Sequence, residues 1–209
     1  MGVISHGVGT NAPFNITYTG LSATSLGAVP REQPSDTEST QTKESKSYLL
    51  ENLQLVPRFN ATSYSFTDIL QIQFEKLAVN SFSNPLSALH GEKAGFVLTL
   101  PDIYRKLMTE ISTVILRLPE LQGVPGVAER FSVDRLEQTV TGVIAKNAET
   151  VCSMVWDMRA GRETEIEFIN GYWAGRGREL GVSTPVNDRL IEQILELTKE
   201  RKRGPKIPK

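Results

Sequence analysis

Apolar side chains recur at helical spacing along most of this chain, from Tyr48 almost to its end. They form four stripes with an i, i+3, i+4 pattern: Ile69, Ile72, Leu77 and Val79; Ile103, Leu107, Ile111, Val114 and Leu118; Leu136, Val140, Val143 and Ile144; and Leu190, Ile191, Ile194 and Leu195. A helix with such a stripe is stable in water when it buries the stripe against a neighbour. The pattern predicts a mainly α protein with an all-helical domain over residues 48–200.

Residues that begin, cap or break helices fall between these stripes. Pro101 is suited to the first turn of one helix, and Pro119 marks its end. Ser132 is placed to cap the next helix, and Gly161 marks a break before another. We expect Asn187 to cap the last helix, because asparagine is a favoured residue at that position.

The first thirty residues have the alternation that is typical of strands. Phe14, Ile16 and Tyr18 share one face of a predicted half-buried strand, and residues 21–26 are predicted to form a second, short strand. Two strands are not stable alone in water. Residues 1–30 are therefore expected to be a β remnant that needs a larger sheet or a helical surface to cover it.

Two segments have little apolar character. Residues 31–47, with the sequence REQPSDTESTQTKESKS, contain no large apolar side chain. Such a stretch cannot bury enough surface to offset its ordering entropy, so we expect a flexible linker or loop. The basic tail at residues 201–209 is expected to be a solvated terminus.

Composition argues against several classes of function. The formal net charge is −1, which provides no overall attraction to nucleic acid or to anionic membranes. The single cysteine, Cys152, allows neither an intrachain disulfide nor a cysteine zinc site, and the two histidines lie far apart in the sequence. No apolar run reaches the ~20 residues that a membrane helix requires. We expect a protein without a metal in a reduced compartment, the cytoplasm or the interior of an organelle.

Residues 7–12, GVGTNA, have the G-x-G-x-x-A spacing of a dinucleotide-binding turn. In such folds the turn follows a full strand and opens a helix, whose first amides hold the pyrophosphate. Here only Val3 and Ile4 precede the string, and Pro13 and a strand pattern follow it. The string is therefore predicted to be a glycine-bearing turn beside a strand.

Lys76, Asn80 and Asn84 are spaced i, i+4, i+8 and are predicted to lie along one face of a helix. A row of polar side chains is commonly a solvated helix face, and that interpretation stays open. Two asparagines inside a helix, however, are unfavourable without a compensating role. A lysine beside two amides could polarise a carbonyl group and hold substrate oxygens, and desolvation would lower its pKa toward values useful for proton donation.

A second polar segment follows the predicted break at Gly161. Glu165 is expected to begin a helix there, because the positive end of a helix favours a carboxylate. Thr164 and Glu167 have the spacing of a capping box, in which these two side chains cap the start of the helix. The side chain of Glu165 would then take no part in capping. Three glycines in the helical pattern predict close approach of another helix or of a ligand: Gly171, Gly175 and Gly177.

Three segments together resemble the signature motifs of the ketopantoate reductase family. Residues 75–86, EKLAVNSFSNPL, resemble the family's lysine-helix signature. Residues 153–171, SMVWDMRAGRETEIEFING, and residues 181–187, GVSTPVN, resemble its second and third signatures. Their order and intervals also match, and the resemblance covers residues 1–197. Long motifs in the correct register are a more specific signal than any single short pattern.

The resemblance implies an NADPH-dependent reduction of 2-dehydropantoate to pantoate, a step toward pantothenate and coenzyme A. It also implies a helical domain like that of 6-phosphogluconate dehydrogenase, with the cofactor between this domain and an amino-terminal Rossmann domain. By motif position, Lys76 would be the general acid that polarises the carbonyl. Asn80, Asn84 and Ser153 would hold the hydroxyl and carboxylate of the substrate. Glu165 would bind near the nicotinamide ribose and help to order the catalytic site.

Two departures from the family pattern change what we expect of this chain. Residues 1–30 resemble only the last strands of the Rossmann domain, so the glycine-rich phosphate cradle is missing and a partial chain is expected. Thr150 stands where family members often carry an asparagine. A 2-oxo acid other than 2-dehydropantoate is therefore an alternative substrate.

A non-catalytic helical module, derived from this family, is the alternative function. Such a module would bind a partner or self-associate through the surface of the ancestral helical domain. The absence of the cofactor-binding half favours this alternative. The retained polar residues favour the enzyme: Lys76, Asn80, Asn84, Ser153 and Glu165. The expected partners are a small 2-oxo acid and a second copy of the chain, bound through the helical domain, with neither nucleic acid nor membrane.

Overall fold

The computed structural model describes residues 1–30, 48 and 50–203. The predicted linker at residues 31–47 and most of the basic tail lie outside these residues. The described chain is mainly helical, with its strands near the amino-terminal end, which confirms the predicted fold class. It divides into two compact units, Met1–Gln73 and Phe74–Lys209. None of the described helices is long and apolar enough to span a membrane.

The described part of the first unit contains five strands: β1 (Gly2–Ile4), β2 (Gly7–Ala12), β3 (Asn15–Gly20), β4 (Thr24–Gly27) and β5 (Ala61–Tyr64). β4 lies between β1 and β5, antiparallel to β1 and parallel to β5, while β2 and β3 form a separate hairpin. The sequence pattern predicts strands only before residue 31, and β5 is an addition. Parallel strands require a long connection, so the partner of β4 lies far along the chain.

The predicted half-buried strand around Phe14 is wrong in its burial. Phe14 occupies the turn between β2 and β3, with a positive φ of 61°, and is fully exposed. Ile16, on β3, is 53% exposed. Alternation determines which side chains share a face of a strand, but it does not determine whether another layer covers that face.

Residues 7–12 form strand β2 and not the predicted turn. The chain turns directly from β2 into β3, and among residues 1–30 no helix follows the glycine string. The dinucleotide-binding interpretation is therefore excluded for this string, as predicted. The pairing with β3 has register shifts between Gly7 and Val8 and between Thr10 and Ala12, a distortion that glycine tolerates well.

The helices that follow β5 are α1 (Phe66–His90), α2 (Pro101–Ile115), α3 (Val127–Arg130), α4 (Val133–Lys146), α5 (Ser153–Arg159), α6 (Ile166–Leu180) and α7 (Pro185–Arg203). The start of α2 at Pro101 and the start of α4 after Ser132 agree with the prediction. The predicted break at Gly161 is also confirmed, because this glycine has a positive φ of 67° after the end of α5.

Two of the predicted capping interactions do not form. Ser132 precedes α4, but its hydroxyl donates to the carbonyl of Glu129 (2.8 Å) and makes no capping hydrogen bond. The last helix begins at Pro185, so Asn187 lies inside its first turn and not in front of it. Asn187 is also fully buried. An N-cap residue lies just before the first turn of its helix, whereas the side chain of Asn187 forms hydrogen bonds with buried groups.

Four helices share one buried apolar cluster in the second unit. Its buried members are Ala88 from α1; Met154, Val155 and Met158 from α5; Ile166 and Ile169 from α6; and Ile194 from α7. Complete burial of one such side chain typically contributes about 1.5–3 kcal/mol. We call this set the apolar cluster. It holds the first turns of α5 and α6 in one core with α1.

Pro85 lies inside α1 and leaves one backbone carbonyl without its helical donor. Because proline has no N–H, the carbonyl of Ser81, four residues earlier, cannot accept the usual helical hydrogen bond. The side chain of Asn170, on α6, donates to this carbonyl instead (Nδ2–O 3.0 Å). The hydroxyl of Ser81 accepts a hydrogen bond from Trp173 Nε1 (2.8 Å). α6 is therefore tied to α1 at the turn that the proline interrupts.

The same asparagine extends the connection to α7 and α2. Asn170 Nδ2 also donates to Asn187 Oδ1 (3.0 Å), and Asn187 Nδ2 donates to the carboxylate of Glu110 (2.8 Å). Glu110 accepts two further hydrogen bonds, from the backbone N–H groups of Val186 and Asn187 (2.7 and 3.1 Å). The carboxylate thus satisfies amides at the positive end of α7. We call these side chains the buried polar network: Ser81, Glu110, Asn170, Trp173 and Asn187.

Replacing Glu110 with glutamine should lower the free energy of unfolding by roughly 2–4 kcal/mol, because a buried donor would then face a second donor. Glu192→Gln, at an exposed position of α7, is the matched control and should change stability by less than about 0.5 kcal/mol. Urea unfolding followed by circular dichroism measures both. Equal losses in the two variants would contradict the role given to Glu110.

Gly175 and Gly177 provide a matched test of the packing of α6. A Cβ at Gly177 would lie 2.8 Å from both Thr184 Cγ2 and the carbonyl oxygen of Val182, whereas one at Gly175 would meet no described atom within 4 Å. Another group does approach Gly177 closely, but it is the turn after α6 and not another helix or a ligand as predicted. Gly177→Ala should destabilise by roughly 1–3 kcal/mol, and Gly175→Ala should stabilise by about 1 kcal/mol. Thermal unfolding would contradict this account if Gly177→Ala raised the Tm.

Candidate functional site

α1 carries Lys76, Asn80 and Asn84 along one face, and we call these residues the polar row. Exposure decreases along it: Lys76 is exposed, Asn80 is half-buried and Asn84 is only 6% exposed. A solvated face would be exposed throughout, so the burial of Asn84 contradicts that interpretation at the inner end. Asn84 Oδ1 accepts a hydrogen bond from the hydroxyl of Ser83 (3.2 Å). The row leads from the surface into the interior of the second unit.

The ammonium group of Lys76 has a pKa below that of an ordinary lysine, because neighbouring atoms partly desolvate it. The residue as a whole stays exposed, and solvent therefore limits the effect. Desolvation favours the neutral amine, which makes the ammonium a stronger acid. A lysine in this state transfers a proton to a developing oxyanion more readily than a fully hydrated lysine does.

The residue before Lys76 forms an ion pair with α3. Arg130 Nε and Nη2 donate to Oε1 and Oε2 of Glu75 at 2.7 and 2.8 Å, which is a bidentate arrangement. Both side chains are partly buried, with exposures of 33% for Arg130 and 23% for Glu75. No pattern in the sequence predicts this pair, because the two residues are 55 positions apart.

Ser153 is the first residue of α5 and is exposed. The residue before it, Cys152, contacts α1, with its Sγ 3.8 Å from the hydroxyl oxygen of Ser87. Ser87 comes three residues after Asn84, so it continues the face of α1 that carries the polar row. The residue after Ser153 is Met154 of the apolar cluster. The start of α5 therefore lies against α1 at the inner end of the polar row.

Glu165 immediately precedes α6 and is exposed. Its position at the start of this helix agrees with the prediction. Its side chain makes no capping hydrogen bond, and the capping box predicted for Thr164 and Glu167 does not form. The reason is that α6 begins one residue later than the box requires. The next residue, Ile166, is fully buried in the apolar cluster.

The structure brings together the neighbours of the predicted site residues. Met154 and Ile166, which follow Ser153 and Glu165 in the sequence, belong to the same apolar cluster as Ala88 of α1. The starts of α5 and α6 are therefore packed in one core with the helix that bears the polar row. Convergence of the five side chains on one ligand remains a prediction.

No motif in the sequence predicts the buried polar network as a unit. The sequence contains one indication of it: Pro85, inside a helical pattern, leaves the carbonyl of Ser81 without its helical hydrogen-bond donor. Asn170, in the second signature, is that donor. Glu110 and Asn187 are 77 residues apart. Their pairing depends on the packing of α2 against α7, which periodicity does not specify.

Among the described residues, no group of three His, Cys, Asp or Glu side chains is arranged to hold a metal ion. A cavity of about 150 Å³ is lined by Met158, Gly161, Arg162, Thr198 and Arg201. Its described lining contains none of the five predicted site residues. Arg162 pairs with Asp157 (2.8 Å), and Arg201 donates to the carbonyl of Met158 (3.2 Å). These arginines hold the end of α5 in place, so the cavity does not indicate a separate ligand site.

Comparison with known proteins matches residues 68–198 to the family described as Ketopantoate reductase PanE/ApbA C terminal. A 2-dehydropantoate 2-reductase from Salmonella typhi is 33% identical over 204 residues, which cover 98% of this chain and 60% of the relative. Matches to other relatives with this name cover as little as 39% of the relative. The chain thus spans between about two fifths and three fifths of the length of these curated relatives.

Solved structures share the fold. A D-mandelate dehydrogenase in complex with NADH and anilino(oxo)acetate has a TM-score of 0.68 and 18% identity, over 94% of this chain and 58% of that chain. A dimeric ketopantoate reductase from Staphylococcus aureus has a TM-score of 0.67 and 17% identity, over 95% and 61%. These identities show the fold alone. The family match extends over more than half of the sequence, and the chain therefore belongs to the ketopantoate reductase family, of which it carries the carboxyl-terminal helical domain.

Proposed function

We propose that this protein takes part in the NADPH-dependent reduction of 2-dehydropantoate to pantoate, and that its helical unit supplies the substrate site and the proton donor. The polar row on α1 carries the proposal, because it begins with a lysine of lowered pKa and ends with a buried asparagine. The names of the curated relatives support this reaction. The ligands of the D-mandelate dehydrogenase support a nicotinamide cofactor and an oxo acid.

Lys76 is assigned to the carbonyl oxygen of the substrate. Reduction adds a hydride to the carbonyl carbon and a proton to the carbonyl oxygen, so negative charge develops on that oxygen during the reaction. An ammonium group beside the oxygen stabilises this charge and then donates the proton. The lowered pKa of Lys76 makes the second step easier.

Asn80, Asn84 and Ser153 are assigned to the hydroxyl and carboxylate groups of the substrate. Amide and hydroxyl side chains can donate hydrogen bonds to both kinds of oxygen. The amide oxygen of Asn84 is already bonded to Ser83, so we assign its amide nitrogen as the donor. A donor on the buried part of α1 is shielded from water, which strengthens its interaction with a charged group.

NADPH supplies the hydride when it is bound. Glu165, at the start of α6, is assigned to the nicotinamide ribose, whose hydroxyl groups can donate to a carboxylate. The described residues do not form the strand, glycine turn and helix that hold a pyrophosphate, since residues 7–12 form β2. We therefore assign the phosphates to a dinucleotide-binding domain outside the described residues.

A non-catalytic helical module is the second candidate. Two aromatic side chains, one turn after Ser153 and Glu165, stay exposed: Trp156 by 52% and Phe168 by 82%. Exposed apolar rings on neighbouring helices suit a protein interface, and a structural relative is dimeric. The activity of Lys76 variants distinguishes the two functions.

Lys76→Met should decrease turnover of 2-dehydropantoate by roughly 10²–10⁴-fold, the usual contribution of a general acid. The enzyme for this test is a fusion of the chain with the dinucleotide-binding domain of a curated relative, and oxidation of NADPH measures the rate. Lys106→Met, at an exposed position of α2, is the matched control and should retain activity. Undiminished turnover in Lys76→Met would rule out the catalytic assignment.

The pH profile of the fusion belongs to the same test. Lys76 acts as an acid in its charged form, so the rate of reduction should fall as pH rises through its pKa. Desolvation lowers that pKa, so the fall should begin at a lower pH than for an ordinary lysine. The residual activity of Lys76→Met should lack this alkaline fall. A fusion that binds NADPH, self-associates and shows no turnover of any 2-oxo acid would favour the second candidate.

A further inference from the structure

Glu75 and Lys76 are neighbours on α1 with opposite charges, and the structure directs the carboxylate toward another helix. Both oxygens of Glu75 accept hydrogen bonds from the guanidinium of Arg130, at 2.7 and 2.8 Å. The pair is partly buried, so solvent screens it less than an ordinary surface pair. The bidentate geometry fixes the orientation of the carboxylate as well as neutralising its charge.

The core holds Arg130 in position. Arg130 is the last residue of α3, and the next residue, Phe131, is fully buried. The carbonyl of Phe131 accepts a hydrogen bond from the hydroxyl of Ser112, on α2 (2.6 Å), and the guanidinium lies 5.8 Å from the centre of the Phe131 ring. The ion pair therefore connects the Lys76 turn of α1 to α2 and α3.

Release of the carboxylate would change the surroundings of the lysine. Adjacent side chains on a helix point about 100° apart, yet a glutamate side chain is long and flexible enough to turn toward its neighbour. A carboxylate near an ammonium group favours the charged form of the amine and competes with other oxygens for its N–H groups. A guanidinium that binds both carboxylate oxygens prevents this competition.

We propose that Glu75 and Arg130 are a positioning pair for Lys76, in which Arg130 holds and neutralises the adjacent carboxylate so that it does not compete with a substrate oxygen for the Lys76 ammonium. The function of the pair rests on the proposed role of Lys76 as the proton donor to a 2-oxo acid. The effect of the pair on the lysine is a property of the protein alone and can be measured without substrate or cofactor.

The test is the rate of acetylation of Lys76 by acetic anhydride in the intact chain at about pH 8, where only the small neutral fraction of a lysine reacts. Peptide mass spectrometry measures the rate relative to that of Lys106, an exposed lysine on α2. Arg130→Gln should lower the relative rate about threefold, and Glu75→Gln should raise it about threefold, as expected for a partly screened charge. The double variant should return close to the original rate.

Arg176→Gln is the matched control, because Arg176 also binds both oxygens of a carboxylate, that of Glu120, at 2.9 and 3.0 Å. It should leave the relative rate unchanged. Arg130→Lys keeps the charge and should restore most of the rate. Circular dichroism checks that each variant folds. If Arg130→Gln does not fold, the two single variants Glu75→Gln and Arg130→Lys test the proposal. Unchanged Lys76 acetylation in folded Arg130→Gln and Glu75→Gln would overturn the positioning role, whereas the turnover of Lys76→Met tests the proposed function separately.

Discussion

The helical unit depends on one backbone carbonyl, that of Ser81. Pro85 removes its helical donor, and a buried carbonyl without a partner would cost roughly 1–3 kcal/mol. The amide of Asn170 supplies the donor, and through Asn187 it reaches the carboxylate of Glu110. One break in the ladder of α1 thus requires a buried polar network that connects four helices. The amide donors of this network reach their acceptors only when these helices pack in this arrangement, which makes the packing specific.

The network and the candidate site share the same segment of α1. Ser81, which receives the bonds from α6, lies directly after Asn80 of the polar row. Ser87, which contacts Cys152, lies one turn beyond Asn84. The positions of the lysine and asparagines relative to α5 and α6 are therefore set by the contacts of the neighbouring Ser81 and Ser87. Polar residues of the same motifs thus serve packing in one case and are assigned to chemistry by our proposal in the other.

The apolar stripes predict the helices well, because most of their side chains are buried, although Ile103 and Val143 stay exposed. Leu107 and Ile111, for example, are fully buried where the pattern places them. Periodicity fails for single residues that lie in turns or pair with distant parts of the chain. Asn187 has the position of a helix cap in the sequence, but its side chain pairs with Glu110, 77 residues away. Phe14 fits the strand alternation in the sequence but lies exposed in the turn between β2 and β3. For the site, the motifs supply candidate residues, but only packing reveals the Glu75–Arg130 pair.

We propose that the start of α6 and the polar row surround one site. This arrangement can be tested with a nitroxide label at Glu165→Cys, in a chain that also carries Cys152→Ser. We expect strong paramagnetic broadening of the side-chain amide signals of Asn80 and Asn84, relative to the same sample after reduction of the label. Signals of these two amides that keep their full intensity would place Glu165 away from the row and contradict a shared site.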